Sequence, residues 1–160
     1  MSKNLKAASL AAAIALAMGS TTAWGATAPT ATQLPGKGKV VAGTVSAGTI
    51  AAGEQTINIT GNAVINWGAS GATINTAQPG GFNVGSAAKL HFAGSDTNPA
   101  VLNIDSSGNP SQIMGAIDTT GASGATNTSI FVANSNGIIV GKGASINAGS
   151  GKLGLIANKG

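Results

Sequence analysis

Apolar and polar positions alternate along this chain in short bursts of three to five residues, most of them ending in Asn, Gly, Ser or Asp. The clearest stretch is 129–159, where SIFVA, GIIV, ASI and LGLIA are separated by turns of Asn, Ser, Gly and Lys. Such turn residues tolerate positive φ or hydrogen-bond their own backbone. Further back, TINIT at 56–60 sets Ile57 and Ile59 on one face of a half-buried strand. Gly61-Asn62 reads as a turn, and AVINW at 63–67 places Ala63, Ile65 and Trp67 together. FNV (82–84), KLHF (89–92), AVLNI (100–104) and QIMGAI (112–117) follow. In AVLNI the expected inward set is Ala100, Leu102 and Ile104, with Val101 and Asn103 outward. The same reading buries Ile130, Val132, Ile138, Val140, Ile146, Leu153 and Leu155. Residues 68–81 and 121–128 read as loops, the first with room for a short strand at 72–74.

Beyond the N-terminal segment there is no amphipathic helix, and the strands lie too close together for helical crossovers. Two all-β solutions remain: an antiparallel sandwich, or a solenoid. Three features favour the solenoid. The strands are very short, the turns are rich in Asn and Gly, and Ala, Gly and Ser recur at strand positions, as a narrow interior requires. At a few tens of residues per turn of the solenoid, the chain after its leader should make about five to seven levels.

The leader is 1–25. Lys3 and Lys6 supply the positive start, LAAAIALAM at 10–18 a short apolar run, and small residues follow, with cleavage expected after Ala23 or Gly25. The run is far shorter than the ~20 residues of a spanning helix, and no later segment is long enough either. Charged residues make up only 8% of the chain, and all eight basic residues are lysines. Past the leader six lysines face Glu54, Asp96, Asp105 and Asp118. With so small an excess and no arginine to fork onto phosphates, nucleic acid is not an expected partner. Cysteine is absent, which removes disulfides and thiolate metal sites.

Several segments, in order, resemble the N-terminal secretion domain of the filamentous haemagglutinin family, the exported partners of two-partner secretion. They are VVAGTVS, INITGNAVINW, FNVGSAAKLHF, AVLNIDSSGNPSQIMGAI, IFVANSNGIIVGKGASINAG and LGLIAN, which together cover the chain from about Leu34 onward. The family's NPNGI turn corresponds to Asn134, Ser135, Asn136, Gly137 and Ile138, with Ser135 in place of proline. Its earlier NPNL motif has only a weak echo at Asn98-Pro99-Ala100. The resemblance implies a right-handed parallel β-helix with an N-terminal cap after a cleaved signal peptide. It divides the chain into a signal at 1–25, a lead-in or cap at 26–39 and a β-helix secretion domain at 40–160. The implied partner is an outer-membrane β-barrel transporter with periplasmic recognition modules, and beyond it host or cell-surface ligands. The implied location is secreted or cell surface, reached through the periplasm of a Gram-negative bacterium. Family members run on past the position of Gly160. The chain is therefore expected to be the front part of a longer protein, or to need a partner over its last strand.

Asn134 and Asn136 are candidates for the surface a transporter reads, although both also suit plain turn-building, with Gly137 at positive φ. His91, the one histidine, alternates away from Leu90 and Phe92, and no acid beside it in sequence points to catalysis. Asp96, Asp105 and Asp118 sit in turn-like surroundings and are expected to bond local amides. Trp67 shares a face with Ile65 and Ala63, which favours core packing over sugar stacking. No catalytic, metal or cofactor residue is assigned, and the chain is expected not to be an enzyme. Two alternatives stay open: a structural surface or biofilm solenoid exported another way, and a polysaccharide-acting β-helix enzyme.

Overall fold

The alternation in EQTINITGNAVINW forms one long strand, β2 (Glu54–Trp67), and the expected turn at Gly61-Asn62 is a bend within it. Gly61 takes φ 68°, which redirects the strand without ending it. Each half of β2 then starts its own parallel ladder. The first half pairs with β3 (Lys89–Gly94), which pairs with β6 (Ala116–Asp118) and then β9 (Ser145–Asn147). The second half pairs with β4 (Ala100–Asp105), then β7 (Ser129–Ala133) and β10 (Leu153–Ile156). A third face runs from Val84 through β5 (Ser111–Ile113) to β8 (Ile138–Val140). The architecture is a parallel β-helix. This computed structural model describes residues 26–119 and 127–158. The expected signal at 1–25 and most of the expected loop at 121–128 lie outside them.

Register creates interior columns. Ala63, Val101, Ile130 and Leu153 stack on one face, and Ile65, Asn103, Val132 and Leu155 stack beside them. On the first face Gln55, Leu90, Ile117 and Ile146 are superposed, with Ile57 over Phe92. Trp67 meets Phe82 edge to face at 6.0 Å between ring centroids, and both are fully buried. The expected inward faces of TINIT and AVINW are observed, and so is the core role of Trp67.

Three expectations need correction. In β4 the buried side chains are Val101, Asn103 and Asp105, while Ala100, Leu102 and Ile104 are only half-buried. Both phases of AVLNI carry apolar residues, so alternation alone does not choose between them. Stacking on Ala63 and Ile65 does, and Leu102 instead joins an outward row between Val64 and Phe131. The first face has four levels among the described residues, fewer than the five to seven expected, because long corners lengthen each turn. Finally, Val140, Leu153 and Leu155 continue the interior columns but are exposed, at 48%, 46% and 41%, because no described level lies over them. Ile138 and Ile146 there are half-buried.

The opposite end is covered. β1 (Lys39–Ala47) runs antiparallel along β2, which removes the ladder's first free edge. Residues of the lead-in bridge to the 68–81 loop, Gly36 with Gly81 and Gly38 with Ile74. Gln55 and Asn75 exchange amide hydrogen bonds at 2.8 Å, and Asn75 Nδ2 also donates to the Pro35 carbonyl at 2.8 Å. Gln55 is 2% exposed, so this pair satisfies amides that would otherwise be stranded under the cap.

Candidate functional site

The turn from β7 to β8 contains four of the five motif residues, and the fifth, Ile138, opens β8. The Gly137 N–H donates to the Asn134 carbonyl at 3.2 Å, closing a four-residue turn. Asn134 Oδ1 accepts the Asn136 N–H at 2.8 Å, an Asx bond, and Gly137 takes φ 106°. A side chain at Gly137 would meet no atom within 4 Å, so its φ, not space, demands glycine. Ser135 and Asn136 are exposed and Ile138 half-buried.

Asn134 is different. Its side chain is turned into the solenoid at 2% exposure, so it offers no amide to an outside partner. Asn134 Nδ2 donates to the Asn109 carbonyl at 2.8 Å and to Ser111 Oγ at 2.9 Å. Ser111 Oγ donates in turn to Asp105 Oδ2 at 2.7 Å. That same oxygen accepts the Phe82 N–H at 2.8 Å, while Oδ1 accepts the Ser107 N–H at 2.9 Å. A buried polar column thus runs from Phe82 through Asp105 and Ser111 to Asn134, across three successive corners. Asp105 makes its expected local amide bond and also these long-range ones. The sequence carries only a faint trace of the column: an Asp and a Ser that bracket the turn SSGNP, with an Asn at the same corner one level on.

The exposed part of the turn borders shallow apolar grooves. One of about 250 Å³ is lined by Pro110, Asn136, Gly137, Ile138, Ile139 and Ala157. A smaller one of about 170 Å³ lies against Ser135, Asn136, Gly137 and Ala157. The exposed polar edge of the turn is thus flanked by apolar floor.

His91 faces outward from β3 as its alternation requires, but it is not without acids. Nε2 lies 2.8 Å from Glu54 Oε1 and Nδ1 lies 2.5 Å from Asp118 Oδ1. Partial burial pushes the ring's pKa down, but the hydrogen bonds and charges of Asp118 and Glu54 outweigh it and hold the pKa above the usual 6.5. Asp118 is thus a strand residue bonded to histidine, not the expected turn-builder. The two acids stand 37 and 27 positions from His91, so only stacking reveals them. Asp96 is exposed, in the bend after β3. Among the described residues no cluster of His, Asp and Glu is arranged to hold a metal ion, and no helix is long and apolar enough to cross a membrane.

Among solved structures, the chain is similar to the HMW1 secretion domain from Haemophilus influenzae, with a TM-score of 0.55 and 27% identity. The match covers 70% of this chain and 25% of that one, so the chain spans about a quarter of the length of the protein it resembles. No family model matches, and no curated protein matches.

Proposed function

We propose that this chain is an export module: a secretion domain that directs an adhesin-like exoprotein to an outer-membrane β-barrel transporter. The observation that carries the reading is the capped parallel β-helix, similar over most of its length to a domain whose described role is secretion. On this reading 1–25 is a removed signal, 26–39 a lead-in and 40–160 the secretion domain. The product crosses the periplasm of a Gram-negative bacterium and, once secreted or held at the cell surface, meets host or cell-surface ligands. A β-helix suits such a route, because each level contacts only its neighbours and the fold can grow from one end.

The recognised feature is the 134–138 turn, with divided labour. Ser135, Asn136, Gly137 and Ile138 form the surface that is read, and buried Asn134 holds it in shape. An enzyme reading finds less support. Asp105 is buried and hydrogen-bonded, and Glu54 and Asp118 are engaged with His91, so these carboxylates do not converge on an open cleft.

The test is co-expression with an outer-membrane β-barrel transporter of the two-partner-secretion type from the source genome, comparing extracellular and periplasmic protein. Gly137→Val forces a β-branched residue to positive φ, a strain of about 1–3 kcal/mol, and should leave protein in the periplasm. Asn136→Val should do the same with less strain. Normal secretion of both variants overturns the turn's role. A wild-type chain that ignores the transporter overturns the function.

A further inference from the structure

We propose that His91 is a pH-operated staple that ties three successive levels of the β-helix together on its outer face. The geometry argues it directly. β3 lies between β2 and β6, and His91 points outward between Glu54 on one neighbour and Asp118 on the other. One ring nitrogen meets each carboxylate, at 2.8 Å and 2.5 Å. A carboxylate only accepts hydrogen bonds, and a neutral imidazole has a single N–H to donate. Both contacts are therefore satisfied only by the imidazolium. When the ring is neutral, one contact sets two acceptors against each other.

The other groups around the ring do not change this. Glu54 and Asp118 are the titratable side chains of β2 and β6, and Lys89 is the one charged neighbour on β3, in register with Glu54. Thr56 and Asn147 complete the outward row that contains His91 and Asp118, and neither titrates. The ring is 12% exposed and Asp118 25%, whereas Glu54 is 54% exposed. The Asp118 arm is thus the better shielded from solvent.

The direction with pH follows from linkage. The folded chain holds the ring proton more tightly than the unfolded chain does. The staple is complete below the ordinary 6.5 and is lost as pH rises through the higher folded value. The first face is accordingly tied most firmly on the acid side of neutrality. This inference stands on the side-chain geometry and is independent of the export reading.

His91 is the sole histidine, so its ring resonances in the whole chain can be followed by NMR without ambiguity. The expected midpoint lies above 6.5, and Asp118→Asn and Glu54→Gln should each lower it, Asp118→Asn by more. Urea unfolding of wild type and His91→Gln at pH 6.0 and pH 8.5 gives the second readout. Wild type should lose more of its folding constant between the two, by about tenfold for each unit the midpoint exceeds 6.5. A midpoint at or below 6.5, no shift on Asp118→Asn, or equal losses in wild type and His91→Gln would each overturn the staple. If His91→Gln does not fold, the wild-type titration decides alone.

Discussion

The two ends of this β-helix carry the same alternation of apolar residues and bury it to different degrees. At the first end Ile57, Ile65 and Trp67 of β2 are sealed by β1, the lead-in and the 68–81 loop. At the last described level Leu153 and Leu155 continue the columns of Ile130 and Val132, yet are exposed. An inward-pointing position in a solenoid is buried by the level stacked on it, not by its own strand. The capped end achieves this with antiparallel β1 and a paired set of amides, which also satisfy the backbone that a bare edge would expose.

This contrast can be broken by mutation, and the largest effect belongs to the indole. Trp67→Ala removes a fully buried ring, its contact with Phe82 and its 3.0 Å hydrogen bond to Asn103. It should cost about 3–5 kcal/mol in urea unfolding, against about 0.5 kcal/mol for Leu155→Ala. Comparable losses at both sites would mean that the last level is covered in solution.

Glycines sharpen the comparison at a smaller scale. A Cβ on Gly36 would lie 2.1 Å from the Pro79 carbonyl oxygen, inside the cap. Gly36→Ala should therefore destabilise by about 1–3 kcal/mol. Gly143, between β8 and β9, has nothing within 4 Å of a built Cβ, so Gly143→Ala should shift the urea midpoint little. Between these two glycine effects lies that of the amide pair. Gln55→Ala leaves Asn75 with its bond to the Pro35 carbonyl alone and removes the donor to the Gly48 carbonyl. A loss of about 1–2 kcal/mol is expected, read as a lower urea midpoint with unchanged slope. No loss would mean that water replaces the side chain and that the cap is wetter than its packing implies.

How much of this was legible in advance depends on how many readings each segment permits. TINIT and AVINW have one apolar phase each, and their inward faces follow from alternation alone. The turn residues of 134–138, with an Asx bond and a glycine at positive φ, follow from local chemistry. AVLNI is apolar in both phases, and only the register against β2 turned Val101, Asn103 and Asp105 inward. An asparagine and an aspartate were acceptable inside because Trp67 and Ser111 met them there with hydrogen bonds.

The sequence by itself determined the class of fold, since strands this short with turns this frequent leave no room for helices and favour stacking. It also determined the conformations of turns whose bonds stay within a few residues. Tertiary structure alone decided which residues meet across levels: Asn134 with Asn109 and Ser111, and His91 with Glu54 and Asp118. The physical reason is the varying length of the corners. In a solenoid, side chains stack according to how much chain each turn consumes, and that length is set by loops whose sequences carry no periodic signal.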